Sequence, residues 1–312
     1  MKENRQPHVI LIAGPTASGK SQAAIALAGK LGGIVVNADA MQVYRDLSIL
    51  TARPGRQDEQ QVPHHLFGHV DGRERYSVGR WLEDLEPILK DAAMQGKMAI
   101  IVGGTGLYFK ALCEGLSAIP EIPRQISSHW LRRLKEQGPC DLHAVLMAED
   151  AEAANTIEPG DGQRIVRALA VRQATGKSIR HFQSSTAEPL VLPQQILMRT
   201  ALLPDRTQLY QRIDERFEAM AEHGALDEVA ALLARRLDPD LPVMKAIGVP
   251  ELAGHLAGGL TLADAMDKAK TNSRRYAKRQ MTWIRGQMAD WTCFTDQKAL
   301  LSQCLDLCNE RA

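Results

Sequence analysis

The sequence predicts an α/β fold: a parallel sheet flanked by helices, with an all-helical lobe inserted into it and a helical C-terminal part. Three observations carry this. Strand-like and helix-like segments alternate through the first third of the chain. Gly14-Pro15-Thr16-Ala17-Ser18-Gly19-Lys20-Ser21 fits the phosphate-loop pattern G-x-x-x-x-G-K-[ST] and sits directly between a strand and a helix, so the fold is P-loop NTPase-like. The middle of the chain, set off by breaks rich in Pro and Gly, has helical periods and no strands.

The elements follow in order. His8 to Ala13 is apolar and β-branched, as a buried parallel strand requires, and Ser21 to Leu31 is rich in Ala and Leu and closes at Gly32-Gly33. Gly33 to Ala38 reads as a second strand that ends in Asp39. A helix is expected around Val78 to Gln95, then a strand from Met98 to Val102, then Gly103-Gly104-Thr105-Gly106-Leu107-Tyr108 opening a helix at Leu107. Breaks at Gly115 to Pro123 and at Ser184 to Pro193 enclose short helices at Ser127–Gln137, Asp141–Met147 and Gln163–Thr175, and Gln195 to Leu203 reads as a strand returning to the sheet. The division is therefore a core at 1–118 and 192–312 and an inserted lobe at 119–191. Beyond Asp205 the chain is helical: Leu209, Ile213, Phe217 and Met220 recur as one buried face, and Thr261 to Asp264 resembles a capping box that opens a long helix through about Arg285.

Composition narrows the function classes. With 38 Lys plus Arg against 37 Asp plus Glu in 312 residues, no global field advertises nucleic acid, and the basic charge is local. No apolar stretch approaches the roughly 20 residues of a membrane span, and the N-terminal apolar run leads straight into the phosphate loop. Five sparse cysteines suit a reducing compartment, so a cytoplasmic protein with buried free thiols and no zinc site is expected; Cys304 and Cys308 lack the further ligands zinc wants, and a monomer is a separate expectation.

The phosphate loop implies a bound di- or triphosphate. Its glycines let backbone N–H groups curl around the anion, the helix N-terminus adds its dipole, Lys20 adds a charge and the Ser21 hydroxyl is the candidate ligand of Mg²⁺. The residues alone leave open whether the ligand is a nucleotide such as ATP or another pyrophosphate. The strand that ends in Gly103-Gly104-Thr105 carries no carboxylate at its tip, whereas a phosphoryl-transfer enzyme wants an acid there. Asp39 ends the other strand, so Lys20, Asp39 and Thr105 are expected to converge at the carboxyl edge of the sheet. Asp39 there is either a proton acceptor or a helix N-cap, Thr105 either a donor to the anion or a cap, and Arg212 either a second cation on the anion or a surface charge.

Seven segments occur in a telling order: GPTASGKS, then DAMQVYR (Asp39 to Arg45), VPHHL (Val62 to Leu66), YSVGRW (Tyr76 to Trp81), GGTGLY (Gly103 to Tyr108), KAIGVPE (Lys245 to Glu251) and YAKRQMTWIR (Tyr276 to Arg285). Together they resemble the short bacterial tRNA dimethylallyltransferases, also called tRNA isopentenyltransferases, from about Val9 to Arg285. The resemblance implies transfer of a dimethylallyl group from its pyrophosphate to N6 of the adenosine at tRNA position 37, next to the anticodon. It places the prenyl pyrophosphate in the phosphate loop, with Lys20, Asp39, Thr105 and Arg212 as the catalytic set. It also implies contacts to the tRNA anticodon stem-loop from Asp39, Ala40, Met41, Gln42 and Thr105, from Gln163, Arg164, Ile165, Val166 and Arg167, and from Met244, Lys245, Ala246, Ile247, Gly248 and Val249. Many relatives have an aromatic residue where Val249 stands. Arg274, Arg275, Lys278 and Arg279 on the long helix are expected to meet RNA phosphates, the other reading being a solvated basic face. Three rivals remain: an adenylate isopentenyltransferase, a small-molecule kinase and a non-catalytic RNA-binding module.

Overall fold

The structure, a computed structural model, describes residues 8–184 and 187–311. Its centre is one sheet of six parallel strands in the order β3-β2-β4-β1-β5-β6. The strands are β1 (Val9–Ala13), β2 (Ile34–Asn37), β3 (His64–His65), β4 (Ala99–Gly103), β5 (Ile196–Leu202) and β6 (Thr292–Phe294). Between and after them run α1 (Lys20–Leu31), α2 (Arg56–Gln61), α3 (Val78–Met94), α4 (Gly106–Glu114), α5 (Arg124–Gln137), α6 (Pro139–Glu149), α7 (Ala151–Ala154), α8 (Gly162–Thr175), α9 (Ile179–Gln183), α10 (Arg206–Glu222), α11 (Ala225–Ala234), α12 (Val249–Leu256), α13 (Leu262–Gln287) and α14 (Gln297–Arg311).

The β1 sequence is apolar throughout because both faces of the sheet are covered. Val9 and Leu11 join Trp81, Leu85 and Phe109 on one side, while Ile10 and Ile12 join Ala24, Leu27 and Leu300 on the other. Each such fully buried aliphatic side chain contributes about 1.5–3 kcal/mol relative to leaving it in water. A further apolar cluster joins the segment Val43 to Leu50 to α10, α11, α12 and α13. Leu209, Ile213, Phe217 and Met220 form the buried face of α10, as their spacing requires.

The chain divides into two compact units, Glu114–Pro189 and the remainder. The inserted unit thus begins five residues before the 119 read from sequence and ends two before 191. It is all-helical (α5 to α9) around Trp130, Leu142, Leu146, Ile165 and Leu169, and Trp130 Nε1 donates to Gln173 Oε1 at 2.7 Å. The break read at 184–193 falls partly on residues 185 and 186, outside the described residues.

Two strands were not legible in advance. β3 and β6 have two and three residues, too few to show a period of two, and each is fixed by the longer strand it joins. Thr261 caps α13, accepting from the Asp264 N–H at 3.1 Å, and its hydroxyl donates to Asp264 Oδ2 at 2.7 Å; that second bond replaces the reach back to the cap's own N–H that a full capping box makes. No disulfide joins the five cysteines, and the expected burial holds only for Cys304, whose thiol it pushes up to about 12; Cys113 and Cys308 are half-buried and Cys140 and Cys293 exposed. Among the described residues no helix is long and apolar enough to cross a membrane.

Candidate active site

The strand order puts three loops side by side at the carboxyl edge of the sheet. β1 and β4 are neighbours, as are β4 and β2, so the phosphate loop, the Gly103–Gly106 turn and the Asp39 segment leave adjacent strand ends. Glycine is required where they close up. A side chain at Gly103 would overlap the backbone of Ala38, one at Gly104 would overlap the Gln280 amide, and one at Gly106 the Trp283 indole. Gly19, immediately before Lys20, has φ +92°, a conformation L side chains rarely adopt.

Asp39 is held by its neighbours. The Asn37 side chain, fully buried, accepts from the Asp39 N–H at 2.8 Å and donates to the Asp39 and Leu66 carbonyls, each at 3.0 Å. Trp81 Nε1 donates to the Asn37 carbonyl at 2.8 Å and its ring stacks on Tyr108 at 4.6 Å, which gives YSVGRW and the end of GGTGLY a structural purpose. One carboxylate oxygen of Asp39 accepts from the Met41 N–H at 2.9 Å. That is an Asx-turn, with no helix following, so the N-cap reading is corrected: the segment turns. The carboxylate stands in the field of Lys20 and Arg216.

A cavity of about 490 Å³ lies over the phosphate loop, lined by Thr16 to Gln22, Asp39, Gln42, Gln208, Arg212, Arg216 and Thr295 to Gln297. Inside it the charges are partly stripped of water. Lys20 donates to the Pro15 carbonyl at 3.2 Å, and burial brings its ammonium down to about 8, with Asp39 opposing that shift and Arg216 adding to it. Burial likewise lowers Arg216 from its ordinary value, with Asp39 pulling the other way. Arg216 Nη2 donates to Thr16 Oγ1 at 2.5 Å, while its Nε and the buried Ser18 hydroxyl have no hydrogen-bond partner. Buried donors left unmatched cost about 1–3 kcal/mol each unless a ligand takes them. Two cations and two orphaned donors around one glycine loop make an anion site.

Arg216 is the residue that sequence reasoning passed over. Arg212 lines the same cavity but is exposed, one turn earlier on α10. The available signal was position: Arg216 adjoins Phe217 on the helix edge that carries Ile213 and Met220 inward. Gln280 was also missed. Its Oε1 accepts from the Thr16 N–H and its Nε2 donates to the Gly104 carbonyl, both at 2.9 Å.

Other expected contacts are redistributed. The Thr105 hydroxyl accepts from the Ala40 N–H at 2.9 Å and is hydrogen-bonded to Tyr276, so it holds the Asp39 segment in place. Gln42 lines the cavity with its amide donating to the Thr51 and Ala52 carbonyls, at 2.9 and 3.1 Å, which leaves only its oxygen for a base edge. Ala40 and Met41 are half-buried beside it. Ile165 and Val166 are packed in the core of the inserted unit, and Ala246, Gly248 and Val249 in that of the larger one, so the side chains of these residues do not reach an RNA surface. Val249 begins α12, so stacking on a base is not its role. Gln163, Arg164 and Arg167 are exposed on α8, with Arg164 3.4 Å from Asp161; Lys245 pairs with Asp240 at 3.0 Å, and Met244 and Ile247 are half-buried. On α13, Arg274 is tied up by both oxygens of Asp214, at 2.6 and 2.7 Å, and is withdrawn from the phosphate-contact set. Arg275 and Lys278 are exposed, and Arg279 is exposed over the Tyr276 ring.

For a metal, the donor set is hard oxygen. Ser21 stands in the first turn of α1 at the cavity, and among the described residues no three His, Cys, Asp or Glu side chains group to hold an ion. The Ser21 hydroxyl is a hard oxygen of the kind Mg²⁺ takes.

The chain is similar to known proteins along most of its length. The family model for IPP transferase matches residues 42–287, and that for isopentenyl transferase matches residues 7–65. A tRNA dimethylallyltransferase of Agrobacterium fabrum is 50% identical over 284 residues, 91% of this chain and 95% of that one. One from Methylobacterium nodulans is 51% identical over 291 residues, 93% of this chain and 96% of that one. Among solved structures, the tRNA isopentenylpyrophosphate transferase of Bacillus halodurans superposes with a TM-score of 0.69 at 32% identity, covering 98% of this chain and 96% of that one. A eukaryotic dimethylallyltransferase described as acting on tRNA gives 0.75 at 32% identity, covering 89% of this chain and 70% of that one. On the phosphate loop, the parallel sheet and these likenesses along nearly its whole length, the chain belongs to the IPP transferase family.

Proposed function

We propose that the chain transfers a dimethylallyl group from dimethylallyl pyrophosphate to N6 of the adenosine at position 37 of tRNA, releasing pyrophosphate. The observation that carries the reading is the juxtaposition of a desolvated anion site with the Asp39 carboxylate: Lys20, Arg216 and the orphaned Ser18 hydroxyl face the cavity that Asp39 shares. β4 ends in Gly103 with no acid at its tip, which disfavours a kinase.

The adenine N6 is a weak nucleophile because its lone pair is delocalised into the ring, so the site must supply a base, a good leaving group and alignment. N6 attacks C1 of the dimethylallyl group, and the bond from C1 to the pyrophosphate oxygen breaks with its electron pair leaving on the pyrophosphate. The N6 proton passes to the free oxygen of Asp39, an aid worth about 10²- to 10⁴-fold. Lys20, Arg216 and the loop amides stabilise the charge that accumulates on the leaving group. Mg²⁺ bound at Ser21 would neutralise part of that charge. An adenine stacked in an anticodon loop cannot reach this depth, so it must be flipped out.

Because burial holds Lys20 near 8 and a bound anion raises it, binding between those two values takes up a proton. Affinity for dimethylallyl pyrophosphate is therefore expected to fall above about pH 8, by up to about tenfold per pH unit. Lys20→Met should bind weakly and lose this slope; an equal slope in the variant would assign it elsewhere.

Arg275 and Lys278, exposed on the basic face of α13, are the proposed RNA phosphate contacts. Changing both to Ala should raise the KM for tRNA and flatten its salt dependence by about 0.7–0.9 in slope per lost contact. An unchanged slope would mean that this face is only solvated.

The function itself is tested by offering labelled dimethylallyl pyrophosphate with unmodified tRNA or with AMP. Label in tRNA supports the reading. Label in AMP alone would make the protein an adenylate isopentenyltransferase, and consumption of ATP without label transfer would make it a kinase.

A further inference from the structure

Helix α13 reaches the site with three side chains spaced one turn apart. Tyr276 is hydrogen-bonded to Thr105, Gln280 to Thr16 and Gly104, and Trp283 lies against Gly106. Gln280 is the one that spans two loops. It is 5% exposed, a primary amide at a position where Ala277, Met281 and Ile284 put apolar side chains. A polar group is costly there unless it is hydrogen-bonded, and both ends of this amide are.

What Gln280 binds gives it a consequence for chemistry. The Thr16 N–H belongs to the loop whose amides must curl around the pyrophosphate, and the Thr16 hydroxyl is already fixed by Arg216. The Gly104 carbonyl belongs to the turn that holds, through Thr105, the segment carrying Asp39. We propose that Gln280 is a positioning residue for the transfer: its amide sets the conformation of the phosphate loop against the Gly104 turn and so the alignment of the donor pyrophosphate with Asp39. This rests on the reading of the phosphate loop as the donor site. Its neighbours on this face of α13, Tyr276 and Trp283, meet the Gly104 turn at Thr105 and Gly106.

The test is binding of inorganic pyrophosphate with Mg²⁺ to the full chain by calorimetry, with steady-state prenylation of tRNA alongside. Gln280→Met keeps the length and the helix and loses both bonds. It is expected to weaken pyrophosphate at least about tenfold and to lower kcat/KM for the donor by at least that factor, with tRNA affinity within about twofold of the parent. Gln280→Asn, with the same amide one methylene too short to span both loops, should share the loss, and it serves if the Met variant does not fold. Met266→Ala, a truncation in the buried face of the same helix, is the control for stability: it should lower the melting temperature and leave pyrophosphate affinity unchanged. Pyrophosphate affinity within twofold of the parent in a folded Gln280 variant, or the same loss in Met266→Ala, would overturn the proposal. Lys20→Ala separates the two levels of the argument, because unchanged pyrophosphate affinity in that variant would reject the donor site itself.

Discussion

Asp39→Asn is expected to lower single-turnover prenylation by at least about 10²-fold while leaving tRNA affinity nearly unchanged. The Asn side chain keeps the shape, and its oxygen can still accept from the Met41 N–H, so the Asx-turn that seats the residue survives. What disappears is the negative charge that Asp39 places in the field of Lys20 and Arg216 at this cavity. The loss should fall on the chemical step, since neither the loop amides nor the Arg216 contact to Thr16 depends on Asp39. A rate within a few-fold of the parent would show that solvent, or the departing pyrophosphate, takes the proton.

Arg216→Met is expected to cost more than Arg212→Met, by about 10²-fold in kcat/KM for the donor. Both arginines line the cavity, but only Arg216 is withdrawn from water, bonded to the phosphate loop and left with an unpaired Nε. A charge-assisted hydrogen bond in a desolvated site is worth roughly twice a neutral one, whereas an exposed cation is screened. Arg212→Met should therefore lose only a few-fold, and that loss should shrink as salt is raised. The reverse ranking would mean that the exposed arginine swings inward when the donor binds.

These two residues also mark what a sequence can and cannot disclose. The phosphate loop and Asp39 were legible because their chemistry is local: a glycine pattern between a strand and a helix, and an acid at a strand end, each fix their own place at the sheet edge. The parallel sheet followed from alternation of apolar strands with helices, and only strands of two and three residues escaped. Arg216 and Gln280 depend on how α10 and α13 pack, and they meet Thr16 across 200 and 264 residues of chain. Local spacing does not encode such distances. Gln280 did leave a trace: with Ser273 it is a polar residue on the buried side of that helix. The basic run on that helix was legible as charge but not as availability: Arg274 belongs to Asp214 and Lys270 to Glu218. The family's base-contact segments likewise mix exposed side chains such as Arg167 with core ones such as Ile165, a distinction that burial makes and order along the chain does not.

The central claim is that one cavity holds the leaving pyrophosphate and presents Asp39 to the acceptor amine. The most direct measurement is a structure of the protein with a thio-linked, unreactive analogue of dimethylallyl pyrophosphate and an anticodon stem-loop. The account predicts the diphosphate on the loop from Thr16 to Ser21, within reach of Lys20, Arg216 and the Ser18 hydroxyl, and adenine N6 at about 2.6–3.2 Å from the Asp39 carboxylate. A diphosphate seated elsewhere, or an adenine whose N6 lies beyond hydrogen-bond reach of Asp39, would contradict it.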